Sequence, residues 1–564
     1  MLPLLRGYEP DQTVLFDRGR PISAGAFCGM AAATAVRLPG ARFAFNLCEG
    51  RAEFLLATAA ALLARHTLVL PPSRLARTRA DLLDVYPDSY CFVDAPARAN
   101  DLPVPHFALR PALEDAHEAV PIALWPPPLI PRAHIVAIMF TSGTTGAPQP
   151  HPKTWGEMCA GTQTLLSSFG VPPRGTAILG TVPPQHMFGF ETTVMLALQA
   201  GTALLDARPV YPADLSHATN EAAASGAAAV WLMSTPLQLR AFHRELRALP
   251  HVTRIITATM PLDRDLARAI ERDWQIPVDE IFGCTEGGIL ATRRPGLSRH
   301  FLPAVGLVFG RSPAGAPQVS GGHLAQTLIL DDRLLPESPG FAGGGRFEIL
   351  GRDDDMVKIA GKRASLQALN GELLALPGVV DGAMFLPSAD ATRLAAVIVA
   401  PGCAKHEIRK TLAGRIDSAF MPRPLILAHS LPRDGNGKLA VGELRALLPA
   451  PVTATAPSDA DDNQTLTGSA VVPRDHPALP GHFPGHPIVP GVVLLELMEA
   501  LLAHNGYGVR GCPQVKFLIP VAPQTPLTLR AVISHHTSAR FAIDIAGKSA
   551  VVGRFDCGPS VVDT

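Results

Sequence analysis

Between residues 20 and 350 the chain alternates two textures. "EFLLATAAALLA" (53–64) carries apolar residues on nearly every position and predicts a buried helix, whereas "TLVLPP" predicts a strand running into a turn. "HIVAIMFTS" is a buried strand that ends in a Gly/Thr loop, and "AAVWLMSTP" and "TRIITATMP" are further strands. Strands alternating with helical segments predict an α/β domain with a largely parallel sheet. After Gly351 the pattern changes. "RFEILGRDDDMVKIAGKRASL" predicts a β-hairpin, "LQALNGELLAL" a helix, "AAVIVAP" a strand and "EIRKTLAGRIDSAF" a helix, together a small α+β unit that closes around "NGKLAVGELRALL". The following "PAPVTATAPSDADDNQTLTG" (449–468) is too poor in large apolar residues to bury a core and predicts a linker. Residues 469–564 suffice for one more small domain, and no internal repeat is present.

Composition narrows the class. A chain of 564 residues has room for roughly three to four domains. Lys plus Arg and Asp plus Glu number 49 each, so bulk attraction to nucleic acid or an anionic membrane is not expected. At 47% hydrophobic residues the chain can build several cores. Its eight cysteines are scattered without a CxxC pair, which predicts a reduced, cytoplasmic protein with no zinc module. No signal peptide and no membrane span are expected, since the apolar run 54–64 is too short to cross a bilayer.

The candidate chemistry sits first in "TSGTTG". Gly143 and Gly146 let the backbone turn its N–H groups inward, and Thr141, Ser142, Thr144 and Thr145 add hydroxyls, a nest suited to a polyphosphate. No G-K-[ST] follows, so it is not a Walker loop. Further along stand "IFGCTEGG" (281–288), "GRDDDMVKIAGKR" (351–363) and "PRDGNGKL" (432–439). With these four motifs in order, residues 10–448 resemble the adenylate-forming superfamily of acyl-CoA synthetases, luciferases and peptide-synthetase adenylation domains.

The resemblance implies a large domain, 1–351, and a mobile lid, 352–448. It implies that Thr141–Gly146 hold the β- and γ-phosphates of ATP, that Glu286 holds Mg²⁺, that Thr285 meets the α-phosphate and that Phe282 stacks on adenine. It further implies that His186 of "PPQHMFGF" borders the acyl pocket, that Arg352 and Asp332 contact the ribose, that Asp354 is the hinge, and that Lys438 bridges carboxylate and α-phosphate. The physical logic agrees, because charge gathers on oxygens when a carboxylate attacks phosphorus. Two departures stand out. The family's P-K-G is here Pro148-Gln149-Pro150, with Lys153 three residues on, and Asp332 matches only if residues are inserted before Arg352.

The tail reads "GHFPGHPIVPGVVLLELMEALLA". Proline turns feed an apolar helix that begins near Gly491 and carries Glu496, an acid that is costly inside an apolar helix unless it is paired or functional. The run from His482 to Glu496 is similar to the H-F-P-x-x-P-I-x-P-G-V-x-x-x-E pattern of hot-dog-fold 3-hydroxyacyl-carrier-protein dehydratases. That likeness implies a long helix wrapped by an antiparallel sheet in 469–564 and a homodimer with the site at its interface. His482 would remove the α-proton, Glu496 would help the hydroxyl leave, and the Gly491 N–H would polarise the thioester carbonyl. His476 and His486 are expected to be structural.

The expectation is therefore an α/β adenylate-forming domain with an α+β lid, followed by an α+β hot-dog domain. It would use ATP and Mg²⁺ to activate a carboxylic acid and pass it to coenzyme A or to the phosphopantetheine of an acyl carrier protein, and it would dehydrate 3-hydroxyacyl thioesters. The N-terminal "FNLCEGRAEFLLATAAALLARHTLVLPPS" looks like the ligases of aryl polyene clusters, which implies an aromatic primer such as 4-hydroxybenzoate. Two alternatives stay open: a ligase module that only docks carrier proteins, and a coenzyme A ligase joined to a thioesterase-like tail.

Overall fold

The computed structural model describes all residues except 73–75, 96–102, 119–122, 143–147, 339–340, 342–344, 353–355, 360–361, 389–390, 392, 434–438, 440, 449–452, 455–457, 461–462, 475–478, 480–487, 536 and 560–564. Two compact units emerge, the first built on Met1–Glu372, the second on Leu373–Pro432 and Leu439–Thr564.

The first unit holds two large sheets. One runs Leu302–Pro303, Gly288–Arg293, Val278–Cys284, Val252–Thr257, Ala229–Ser234, Thr176–Gly180, Ala203–Leu205, Thr13–Asp17, Arg20–Ser23, and its central six strands are parallel. The other runs Pro148–Thr154, Ile135–Ser142, Thr67–Val69, Phe43–Asn46, Ser89–Val93, His106–Ala108, parallel apart from its first pair. The largely parallel α/β arrangement expected from the alternating pattern is thus present, split over two sheets. Helix Arg51–Ala64 touches strands of both sheets, which explains why residues 51–62 are buried all round. A helix with an apolar stripe would leave one sheet facing polar atoms. Its N-terminus is capped across the layers, where Asp206 Oδ1 accepts from the N–H groups of Arg51 (2.9 Å) and Ala52 (3.1 Å).

The second unit contains a sheet of Asp381–Phe385, Ala395–Val399 and Leu425–Leu427, and separately an antiparallel sheet around helix Gly491–His504. That sheet runs Thr453–Ala454, Asn463–Val471, Pro526–Ser534, Ser538–Ile545, Lys548–Pro559, Tyr507–Phe517. The helix packs on Tyr507–Phe517, Pro526–Ser534 and Asn463–Val471, and its Leu497, Met498, Leu501 and Leu502 are fully buried. Strand Asn463–Val471 begins inside the stretch that composition marks as linker. It buries Leu466, Gly468 and Ala470 alternately, a period of two hidden by small and hydroxylated residues. The predicted hairpin after Phe347 is Met356–Ile359 with Lys362–Ser365, whereas Phe347–Arg352 pairs with Asp332–Pro336 instead. Among the described residues, no helix is long and apolar enough to cross a membrane, and all eight cysteines are free.

Candidate active site

The glycine–threonine loop links two antiparallel strands, Ile135–Ser142 and Pro148–Thr154, which set Gln149 opposite Thr141 and Lys153 opposite Ala137. The second strand ends its sheet and reads Pro-Gln-Pro-His-Pro-Lys-Thr. A proline has no N–H for a ladder, so such a sequence is tolerated only at an edge, with the donor-less positions turned outward. Side chains alternate along a strand, so Gln149, His151 and Lys153 share one face and run from exposed to buried. Thr154 then caps helix Trp155–Phe169, accepting from the Glu157 N–H while Glu157 Oε2 accepts from the Thr154 N–H (2.8 Å).

The second motif is a hairpin. Strands Val278–Cys284 and Gly288–Arg293 pair with Cys284 opposite Gly288, leaving Thr285, Glu286 and Gly287 as the turn. Gly288 has φ +69°, and a Cβ there would lie 2.3 Å from Glu191 Oε1, so only glycine fits. The turn meets the edge strand. His151 Nε2 lies 2.9 Å from Thr141 Oγ1 and 3.4 Å from Glu286 Oε1, so it spans the base of the glycine–threonine loop and the turn. Burial lowers the His151 pKa, and Glu286 opposes that shift.

Beneath the turn lie three further side chains. Lys153 Nζ donates to the Glu286 carbonyl, His323 Nε2 sits 2.8 Å from the Gly287 carbonyl, and Glu191 Oε1 accepts from the Ile289 N–H at 3.4 Å. All three are buried. Burial pushes the Glu191 carboxyl up to about 7 and lowers the Lys153 and His323 pKa values. Glu191 belongs to a π-helical segment, Phe190–Met195, just after the His186–Gly189 turn, and Met187 lies against Gly288. Such bulges often mark functional sites.

Of the other expected residues, Phe282 is half-buried with its ring 5.9 Å from those of Phe301 and Phe347. Asp332 and Arg352 are direct partners across an antiparallel pair. Gly143, Thr144, Thr145, Gly146, Asp354, Lys438 and His482 lie outside the described residues, as do the side chains of Ser142 and Arg352. In the tail, Gly491 opens its helix as expected and Glu496 is half-buried, with burial raising its pKa. The sequence reading passed over His151, Glu191 and His323 and gave Lys153 no role. The Pro-x-Pro-x-Pro alternation was the one available signal for His151 and Lys153. Nothing local marks Glu191 or His323, which reach the turn from distant segments.

One exposed carboxylate, Glu286, suits Mg²⁺, which takes one or two carboxylates, keeps several waters and arrives with substrate phosphates. The described features are thus a loop between two strand ends, an acidic turn and, in the second unit, an antiparallel sheet packed on a helix. Residues 39–314 match the family model of AMP-binding enzymes and residues 458–554 that of the ApeI dehydratases, so the chain carries an AMP-binding domain joined to an ApeI-like dehydratase domain. It is similar to the 4-coumarate–CoA ligase of Rhodobacter capsulatus, at 29% identity over 308 residues, 54% of this chain and 74% of that protein. A shorter match, 36% over 110 residues, joins it to phenyloxazoline synthase MbtB of Mycobacterium tuberculosis, covering 19% of this chain and 8% of that one. In fold it is similar to the Bacillus subtilis O-succinylbenzoate coenzyme A synthetase in complex with AMP (TM-score 0.63, 17% identity, 77% of this chain and 95% of that one). ATP-bound MatB of Rhodopseudomonas palustris gives the same TM-score, 0.63, at 19% identity over 78% of this chain and 96% of that one. The domain content is that of an AMP-forming ligase plus a dehydratase.

Proposed function

We propose that the first module activates a carboxylic acid as its acyl-adenylate and passes the acyl group to the thiol of coenzyme A or of a carrier protein's phosphopantetheine. The observation that carries this reading is His151, which joins Thr141 at the base of the glycine–threonine loop to Glu286 on the acidic turn. Groups that would bind phosphate and metal are thereby within reach of one histidine. Thr141–Gly146 would receive the β- and γ-phosphates and Thr285 the α-phosphate, and Phe282 would offer its ring to adenine. Asp332 and Arg352 would take the ribose, His186 would border the acyl pocket, Asp354 would be the hinge and Lys438 would bridge carboxylate and α-phosphate. Glu286 would hold Mg²⁺, which when bound neutralises phosphate charge. An aromatic acid such as 4-hydroxybenzoate is the proposed substrate, supported by the 4-coumarate–CoA ligase relatives.

The tail would dehydrate 3-hydroxyacyl thioesters, with His482 as base, Glu496 as acid and the Gly491 N–H on the thioester carbonyl, in a homodimer formed through this domain. Domain limits of 1–351, 352–448 and 469–564, a cytoplasmic setting and a role in polyene synthesis belong to the same reading. Both modules would serve shared carriers, and a tether raises their effective concentration.

Pyrophosphate exchange with a panel of aromatic and fatty acids, followed by transfer to coenzyme A and to a carrier protein, tests the ligase. Exchange with at least one aromatic acid, lost in Lys438→Ala, is expected. Flat exchange with every acid leaves the docking reading, which Gln149 in place of the family's lysine favours. For the tail, an enoyl product is expected, and free acid in its place marks a thioesterase.

A further inference from the structure

Three buried polar side chains from separate segments converge on one short turn, and nothing in the reaction as proposed above uses them. We propose that Lys153, His323 and Glu191 are positioning residues that fix the Thr285–Ile289 segment from beneath and so aim the Glu286 carboxylate at the metal–nucleotide. The proposal rests on the adenylation reading.

A three-residue turn at a strand end ordinarily leaves its carbonyls to water and its side chains free to swing. Here three of the segment's backbone groups are engaged by side chains. The ammonium of Lys153 donates to the carbonyl of Glu286 itself, His323 holds the carbonyl of Gly287, and Glu191 takes the N–H of Ile289. His323 is held in turn, with Nδ1 3.2 Å from Thr164 Oγ1 on helix Trp155–Phe169. The turn is thus tied to the edge strand, to that helix and to the π-helical segment.

Burying a lysine that donates to a neutral carbonyl is costly, and a cheaper apolar filler would serve packing alone. The cost has a purpose if the turn must hold one orientation. A ligand carboxylate is only as well placed as the backbone that carries it, and groups one shell out tune metal affinity. Lys153 also stands on the strand where the family's lysine is replaced by Gln149, four positions further from the loop. On this strand the positive charge meets the acidic turn.

The test is Mn²⁺ binding in the presence of ATP, read by electron paramagnetic resonance on the full chain, with the Mg²⁺ dependence of pyrophosphate exchange alongside. Lys153→Met should weaken Mn²⁺ about tenfold, and His323→Leu should act in the same direction with His323→Gln closer to wild type. In a Glu286→Gln background Lys153→Met should add nothing, because it acts through that carboxylate. A purely structural role would lower the yield of folded protein and leave metal affinity alone. Unchanged Mn²⁺ binding in folded Lys153→Met, or an effect that multiplies with Glu286→Gln, overturns the proposal. If Lys153→Met does not fold, the His323 pair decides, and equal binding by both His323 variants and wild type overturns it. A wild type that takes up no Mn²⁺–ATP removes the adenylation reading and this inference together. Wild-type uptake with insensitive variants removes the inference alone.

Discussion

Asp332 and Arg352 stand directly opposite one another on antiparallel strands, although they lie far apart for the motif they were expected to form. The strand pairing therefore sets the two proposed ribose ligands opposite one another in the backbone despite an untidy motif. Asp332→Asn should raise the KM for ATP about ten- to a hundredfold, as expected for losing a charge-assisted hydrogen bond of about 1.5–3 kcal/mol. The variant should also lose discrimination between ATP and its 2′-deoxy analogue. Steady-state exchange kinetics with both nucleotides check this, and a wild-type preference retained in Asp332→Asn would falsify the assignment.

Glu191 gives a stability prediction with a definite sign. Its folded pKa is raised by burial to about 7, against an ordinary 4.5, while the Ile289 N–H and Lys153 pull the other way. The folded chain therefore binds this proton more tightly than the unfolded chain does. Stability should fall as pH rises from about 4.5 to about 7, by on the order of 3 kcal/mol at most. Glu191→Gln resembles the protonated acid, so its stability relative to wild type should grow across that window and level off above it. Urea melts of both proteins at pH 5 and pH 8 measure the difference.

Gly491 and Phe517 constrain each other. A Cβ at Gly491 would lie 2.5 Å from the Phe517 ring, yet that ring is 52% exposed and can swing away. Gly491→Ala should therefore cost only about 1 kcal/mol, the low end of overpacking. Adding Phe517→Ala should recover most of it. Thermal melting of the two variants, each compared with wild type, decides whether the contact is steric.

Dehydration and adenylation should separate cleanly. His482→Ala and Glu496→Gln should each lower enoyl formation by about a hundredfold or more and leave pyrophosphate exchange unchanged. Burial raises the Glu496 pKa, so its acid form persists to higher pH than an ordinary carboxyl would allow. If that form donates the proton, the wild-type rate should decline as pH rises through the raised value. A profile that is flat across that region, together with full activity in Glu496→Gln, removes Glu496 from the mechanism.

Much of the architecture was legible in the sequence because period and composition are local. The apolar run 54–64, the strands "HIVAIMFTS" and "TRIITATMP", and the helix that opens at Gly491 all announce themselves. Other strands did not, two of them telling. Asn463–Val471 is written in Thr, Ser and Gly, so its alternation reads as linker, and Pro148–Thr154 has proline at three of its seven positions, which ordinarily argues against a strand. The acidic turn was visible, but its support was not. Lys153, Glu191 and His323 meet only once three distant segments have folded, and a lone buried Glu or His gives no sign of what it will touch.

The proline-studded border strand has a consequence for the chain in a crowded cell. An ordinary sheet margin offers a row of free amides on which any passing extended segment can zip up. At Pro148, Pro150 and Pro152 that row has no hydrogens to give. The margin beside the glycine–threonine loop is therefore sealed against unwanted strand recruitment, while the alternate positions, His151 and Lys153, turn their side chains to the acidic turn.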